Sequence, residues 1–324
     1  MKFFRLNIVM AALAAIVMVG CNTNDDPVNP TPTKPAPPTA VAAQSVSESS
    51  VRLRWTPPTD LAPVTGYVLM ATEVVSGGTG ETKEVIVSGA SSTTGVIGSL
   101  TEGKRYTFMV HSINDTLRSD ASVTVEWAPA RRGTGSFKLY SSTNSTEGSG
   151  LRIFGGTGPA VLKIAQGGEW DVCFDDKTNP GDPRIASPGQ TNYVNNEYKF
   201  PNGQDAKVVY WGKQYPNVTS LDDIYETAAL TVPATDGEKF YSLNTIGGTT
   251  NWGSVIAWKD GGSYWFGKII VKRGASGFVQ GTGAGAYIDV EFSYQNFKDI
   301  PYALKQRIDA FIEARTNTPR GDVR

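Results

Sequence analysis

The sequence predicts an all-β fold: a β-sandwich, then a second β-rich domain, then a short C-terminal helix. Three observations carry that expectation. Apolar and polar residues alternate in short runs from Thr39 to Trp127 and again from Phe137 to Tyr294, the pattern of half-buried strands. Gly, Pro, Asp and Ser break those runs, as turns require, and the 324 residues include 35 Gly and 19 Pro. Sustained helical spacing occurs in the last segment, where Leu304, Ile308, Phe311 and Ile312 fall on one face.

The chain opens with Lys2 and Arg5, followed by an uninterrupted apolar run from Ile8 to Gly20. A bilayer span needs about 20 apolar residues, so this run has the length of a signal-peptide core instead. It ends in Met18-Val19-Gly20-Cys21. Small residues before a cysteine at this position resemble the lipobox of bacterial lipoproteins. The resemblance implies a signal peptide over residues 1–20, cleavage after Gly20, and lipid on Cys21. Asn22 stands where an aspartate would signal inner-membrane retention, so the outer membrane is expected. Residues 21–38 carry Pro27, Pro30, Pro32, Pro35, Pro37 and Pro38 and almost nothing apolar, which makes them an extended tether.

Without the signal peptide, basic residues fall from 30 to 28 against 31 acidic, a net charge near −3. That balance offers no attraction for nucleic acid. Cys21 and Cys173 are the only cysteines. With Cys21 acylated, no intramolecular disulfide can form, and Cys173 is expected as a small buried hydrophobe.

In the first domain, residues 39–129, Val51, Leu53 and Trp55 share one strand face and Arg52 and Arg54 the other. Trp55 is therefore a core residue, with its strand stopped by Pro57-Pro58. Tyr67, Leu69 and Ala71 repeat the alternation, and Glu84–Val87 reads as a short edge strand. In SLTEGKRYTFMVHSIN, Leu100 precedes a turn, Tyr106 opens a strand, and Phe108, Val110 and Ser112 follow at period two. That arrangement is a tyrosine corner, in which the ring packs inward and the hydroxyl bonds to the turn backbone. The Pro-rich entry, Trp55, Tyr67, the Leu100–Tyr106 corner and Asn114 resemble a fibronectin type III domain. The resemblance implies a spacer or interaction domain and does not imply catalysis.

Residues 130–136 are expected as a linker and residues 137–298 as the β-rich domain. Its expected strands are Phe137–Ser141, Ala160–Ala165, Trp170–Phe174, Lys207–Trp211, Lys239–Leu243, Ser254–Trp258, Tyr264–Val271 and Tyr287–Tyr294. Ser220 followed by Asp222 and Asp223 marks a short helix start. The segment Asp175–Ala206 reads as one long polar loop. The last two strands form a hairpin across the glycine-rich stretch Gly274–Gly285, with Ile288, Val290, Phe292 and Tyr294 on one apolar face. Trp170-Asp-Val-Cys-Phe174 and this hairpin resemble all-β surface lipoproteins that scavenge haem. The only histidine is His111, in the first domain, so two-histidine iron ligation is ruled out and no cofactor is expected. Residues 299–324 should form a helix and tail, with Asp299 as cap and Pro301 in the first turn.

Few residues call for chemistry. His111 should point outward beside Thr107 and Met109, without triad partners. GTGAGA, Gly281–Ala286, lacks the lysine and hydroxyl of a phosphate loop and precedes a strand. Arg320-Gly-Asp322 matches an adhesion tripeptide in a tail. Asp171, Asp175, Asp176, Asn179 and Asp182 gather the hard oxygens that calcium takes, but outside EF-hand spacing, so solvated acids and no metal are expected. No carboxylate pair is singled out for glycoside hydrolysis. Among the aromatics, alternation puts Trp170, Trp258 and Trp265 in the core. Trp252, in the polar stretch Gly247–Gly253, and Tyr193 and Tyr215, in loop-like sequence, are the expected exposed ligand-binding residues.

The leading expectation is a non-enzymatic, lipid-anchored cell-envelope protein. It would meet the membrane through Cys21 and bind a protein or glycan outside the cytoplasm. The alternatives are a carbohydrate-binding lipoprotein that assists polysaccharide capture, and a hydrolase built from carboxylates alone.

Overall fold

The computed structural model describes residues 33–115, 117–189, 198, 206–224 and 239–300. Cys21, Tyr193, most of the tether and the expected helix from Pro301 onward lie outside them. Among the described residues no helix is long and apolar enough to cross a membrane.

The first domain is a two-sheet sandwich. Its strands are β1 (Thr39–Ser47), β2 (Ser50–Thr56), β3 (Gly66–Val75), β4 (Gly78–Ser88), β5 (Thr94–Ile97), β6 (Tyr106–Asn114), β7 (Leu117–Arg118) and β8 (Val125–Trp127). One sheet has the order β1-β2-β5; the other runs β4-β3-β6-β7, with β8 also on β6. The period-two reading holds: Val51, Leu53, Trp55, Tyr67, Leu69, Phe108 and Val110 are buried between the sheets. Trp55 packs on Tyr67 with ring centroids 5.0 Å apart, and the Tyr67 hydroxyl donates to the Ala90 carbonyl at 2.5 Å. The corner forms as expected, with the Thr101 amide donating to the Tyr106 hydroxyl at 2.9 Å. His111 points outward, its Nδ1 3.0 Å from the Ser119 carbonyl.

The second domain adds β9 (Arg131–Arg132), β10 (Phe137–Tyr140), β11 (Gly150–Arg152), β12 (Ala160–Leu162), β13 (Val172–Asp175), β14 (Arg184–Ala186), β15 (Val209–Val218), β16 (Phe240–Ser242), β17 (Asn251–Asp260), β18 (Ser263–Val271) and β19 (Tyr287–Tyr294). A six-stranded sheet runs β10-β19-β18-β17-β15, with β9 on β19, and faces a sheet of order β12-β11-β13-β14-β16. Leu139, Ile269, Val271, Val290 and Phe292 from the first meet Leu151, Val172, Phe174 and Ile185 from the second. The outer faces are also covered. Trp170, Cys173 and Tyr198 cluster on the five-stranded sheet. Val218, Leu221, Ile224, Val255 and Ile270 cluster on the six-stranded one. Gly150 is required where β11 passes under Trp170, since an added Cβ would lie 2.0 Å from the indole.

Three expectations change. Residues 130–136 do not run free: β9 pairs with Ser293 and Tyr294 of β19. The segment read as one long loop contains β14, paired with β13 and β16. The helix expected after Ser220 is a single 3-10 turn, Leu221–Asp223, closed by a Ser220–Asp223 capping box.

The two domains meet. The buried cluster of the first sandwich continues into Ala257, Tyr264 and Phe266 of the β17–β18 hairpin. Asp222 accepts from Arg52 of β2 at 2.9 Å and also pairs with Arg132 of β9. Arg131 grips Glu102 with two bonds of 2.7 and 2.8 Å. Gly103, at φ +79°, lies against the Phe297 ring, where a side chain would collide. Such forked pairs at partly buried carboxylates exceed the usual worth of a surface ion pair.

Candidate ligand-binding cleft

Three loops converge at one end of the second domain, one crossing between its sheets and two closing hairpins. After β10 the chain turns through Ser141, Ser142 and Thr143; after β13 it turns through Asp176 and Lys177; the β18–β19 connection brings Val279, Gly283 and Ala286 alongside. Between them lies a cleft of about 430 Å³, with Phe174, Pro180 and Pro183 completing the wall. Hydrogen bonds from backbone and side chains tie the loops together. The Ser141 amide donates to the Ala286 carbonyl at 2.8 Å, and the Asn144 side-chain amide donates to the Ala284 carbonyl at 2.8 Å. The Ser142 amide donates to Asp176 Oδ1 at 2.9 Å. The glycine-rich Gly281–Ala286 stretch is thus a cleft wall, without phosphate-loop geometry.

The acids expected to be solvated are mostly structural. Asp175 is fully buried, and its Oδ1 accepts from the Lys177 amide at 3.1 Å, the Thr178 amide at 3.0 Å and the Tyr198 hydroxyl at 3.0 Å. This turn aims the neighbouring Asp176 at the cleft. Asp182 accepts from Ser242 and, at 3.1 Å, from Arg184 Nε, and the Ser242 bond holds its carboxyl below the usual range. Asp171 is fully buried; its Oδ2 accepts from the Ile153 and Phe154 amides at 2.6 and 2.8 Å. Lys207 Nζ lies 3.2 Å from Asp171 Oδ1, yet burial outweighs that charge and pushes the Asp171 carboxyl up to about 6. No group of three or more candidate ligands is close enough to hold a metal among the described residues. Cys173 is buried, and burial raises its thiol pKa.

The expected exposure of Trp252 is corrected. The strand starts at Asn251, and period two turns Trp252 to the same face as Ile256, where it is 1 % exposed. Its ring packs 5.0 Å from Tyr241 and 6.1 Å from Trp211, and its Nε1 donates to Gln214 Oε1 at 3.1 Å. Tyr215 is half-buried against the Val218–Leu221 cluster and away from the cleft. Tyr193 lies outside the described residues, and Trp252 and Tyr215 belong to separate clusters. Trp258 and Trp265 pack against the core as expected but are half-buried, and they stack 6.0 Å apart at 16°. They flank the tight Gly261-Gly262 turn. A tryptophan so near a hairpin turn lies at the sheet's end, where core cover thins, and that spacing is the available signal. The cleft itself had none, because its residues come from three distant loops.

Residues 36–126 match the fibronectin type III domain family. No curated protein matches the chain. Among solved structures, the FN5 domain of Drosophila Lar is 21% identical, covering 29% of this chain and 96% of that one, at a TM-score of 0.26. The fn3 domain of human collagen alpha-1(XX) is 28% identical, covering 32% of this chain and 91% of that one, at a TM-score of 0.26. The FN1–FN3 domains of chicken CNTN1 are 21% identical, covering 28% and 30%, at a TM-score of 0.25. The family match, the two-sheet order and the Thr101–Tyr106 corner together identify residues 36–126 as a fibronectin type III domain.

Proposed function

We propose that this chain is a lipid-anchored cell-envelope protein acting as a non-enzymatic binding module outside the cytoplasm. The observation that carries the reading is the fibronectin type III domain, a common interaction module, over residues 36–126. The apolar run ending at Cys21 and the proline-rich tether support anchoring. The cleft of the second domain supports binding, because it is concave and lined by both polar and apolar groups. Outer-membrane attachment is part of the proposal and rests on Asn22.

Fractionation of cells expressing the full chain tests the anchor. Wild type should partition with membranes and incorporate labelled fatty acid, and Cys21→Ala should do neither. Fatty-acid labelling that persists in Cys21→Ala, or a wild-type protein free of lipid, overturns the anchor. Turnover of a polysaccharide by purified protein, abolished by one carboxylate substitution, overturns the non-enzymatic reading.

A further inference from the structure

We infer that the cleft between the β10–β11, β13–β14 and β18–β19 loops binds a neutral sugar unit of a glycan. The inference rests on the reading of the chain as a binding module and deepens it. Ser142 and Thr143 line the cleft, and their hydroxyls can each donate and accept, as sugar hydroxyls do. Buried Ser141 orients Thr143: its Oγ lies 2.8 Å from Thr143 Oγ1 and accepts from the Thr143 amide at 3.2 Å. Asp176 spends Oδ1 on the Ser142 amide and keeps Oδ2 as an acceptor at the cleft. Carboxylates are the strongest acceptors a protein can offer a hydroxyl.

Pro180 and Val279, also in the cleft lining, supply apolar surface for the C–H face of a pyranose ring. Charge argues for a neutral ligand, since the lining carries one acidic residue, Asp176, and one basic residue, Lys177, and no excess of either sign. Shape argues against a peptide. Strand addition needs an unpaired sheet edge, whereas Ser141 and Ser142 already donate their amides to Ala286 and Asp176. The cleft, at about 430 Å³, lies at the small end of ligand sites, which suits one or two sugar rings and not a large cofactor.

The test uses the full chain from residue 21 carrying Cys21→Ala, with carbon-13 methyl labels on Val and Ala and nitrogen-15 indole labels on Trp. Binding is therefore read independently of lipid attachment. Gluco-, manno-, galacto- and xylo-oligosaccharides are titrated in turn. At least one should shift the Val279 and Ala286 methyl resonances in a saturable manner. Asp176→Asn keeps an acceptor for the Ser142 amide but removes the charge, and should weaken that sugar roughly tenfold or more. Thr143→Val, which removes one hydroxyl at nearly constant volume, should weaken it several-fold. The inference is overturned if no sugar in the panel moves those methyls, or if both variants bind as wild type does. It is also overturned if only the Trp258 and Trp265 indole resonances respond, which would place the sugar on that ring pair. Loss of sugar binding with intact fatty-acid labelling sinks the cleft and leaves the anchored module standing.

Discussion

The two domains solve the same packing problem at different depths. In the fibronectin type III sandwich, strands β2 and β6 alternate buried and partly exposed residues along most of their length. The second domain buries both faces of its central strands β11, β13, β17 and β18 along most of their length. In β13 all four residues are buried, and in β18 burial is nearly continuous. One outer face is covered by Trp170, Cys173 and Tyr198; the other by the Leu221–Ile224 turn and by the first domain itself. The lesson is that the first domain is more than a spacer: it covers part of the second domain's central sheet through Ala257, Tyr264 and Phe266.

The largest expected effect comes from the core tryptophans. Trp252→Ala in the second domain and Trp55→Ala in the first should each cost about 3–5 kcal/mol of unfolding free energy. Both are nearly fully buried, at 1 % and 4 % exposure. Because the domains share a buried cluster, each variant should lower one common transition in calorimetry. Two separate transitions, with only one displaced, would break the comparison and restore the first domain as an independent spacer.

Next comes Asp171, a buried carboxyl in the second domain. Its folded-state value of about 6 exceeds the ordinary 3.8, so the native state holds its proton after the unfolded state has released it. Stability contributed at this site is therefore present below about pH 4 and is lost as pH rises through about 6, by at most on the order of 3 kcal/mol. Asp171→Asn lacks that titration. Urea unfolding of both proteins between pH 4 and pH 7 should show wild type losing stability relative to the variant. A constant difference across that window would mean that Lys207 compensates for burial completely.

The smallest effect is expected at the junction. Asp222→Ala leaves Arg52 and Arg132 without their shared carboxylate and should cost about 1–3 kcal/mol. Amide exchange should quicken around β9 and the Leu221–Asp223 turn more than in either core. Unchanged exchange at β9 would show that the apolar contact alone fixes the junction.

Legibility in the sequence follows the same division. Trp55, Tyr67 and the Tyr106 corner could be read directly, because a half-buried strand writes its burial at period two. Trp252 could not, because Gly247–Gly253 has loop composition and the residue's partners, Trp211 and Tyr241, are remote in sequence. The short strands β11 and β14 escaped for a related reason: three residues carry too little periodicity to register.

By itself the sequence determined the all-β class, the position of the first sandwich, the inward side of its strands and the hairpin at β18–β19. Local alternation, turn residues and one aromatic corner suffice for that. Only the tertiary structure decided that the 130–136 segment pairs as a strand, that Asp171 and Asp175 are buried tie points, and which tryptophans reach the surface. It alone assembled the cleft. Burial on a two-sided sheet, and the convergence of loops far apart in the chain, depend on which segments come to lie against each other, and no local pattern records that.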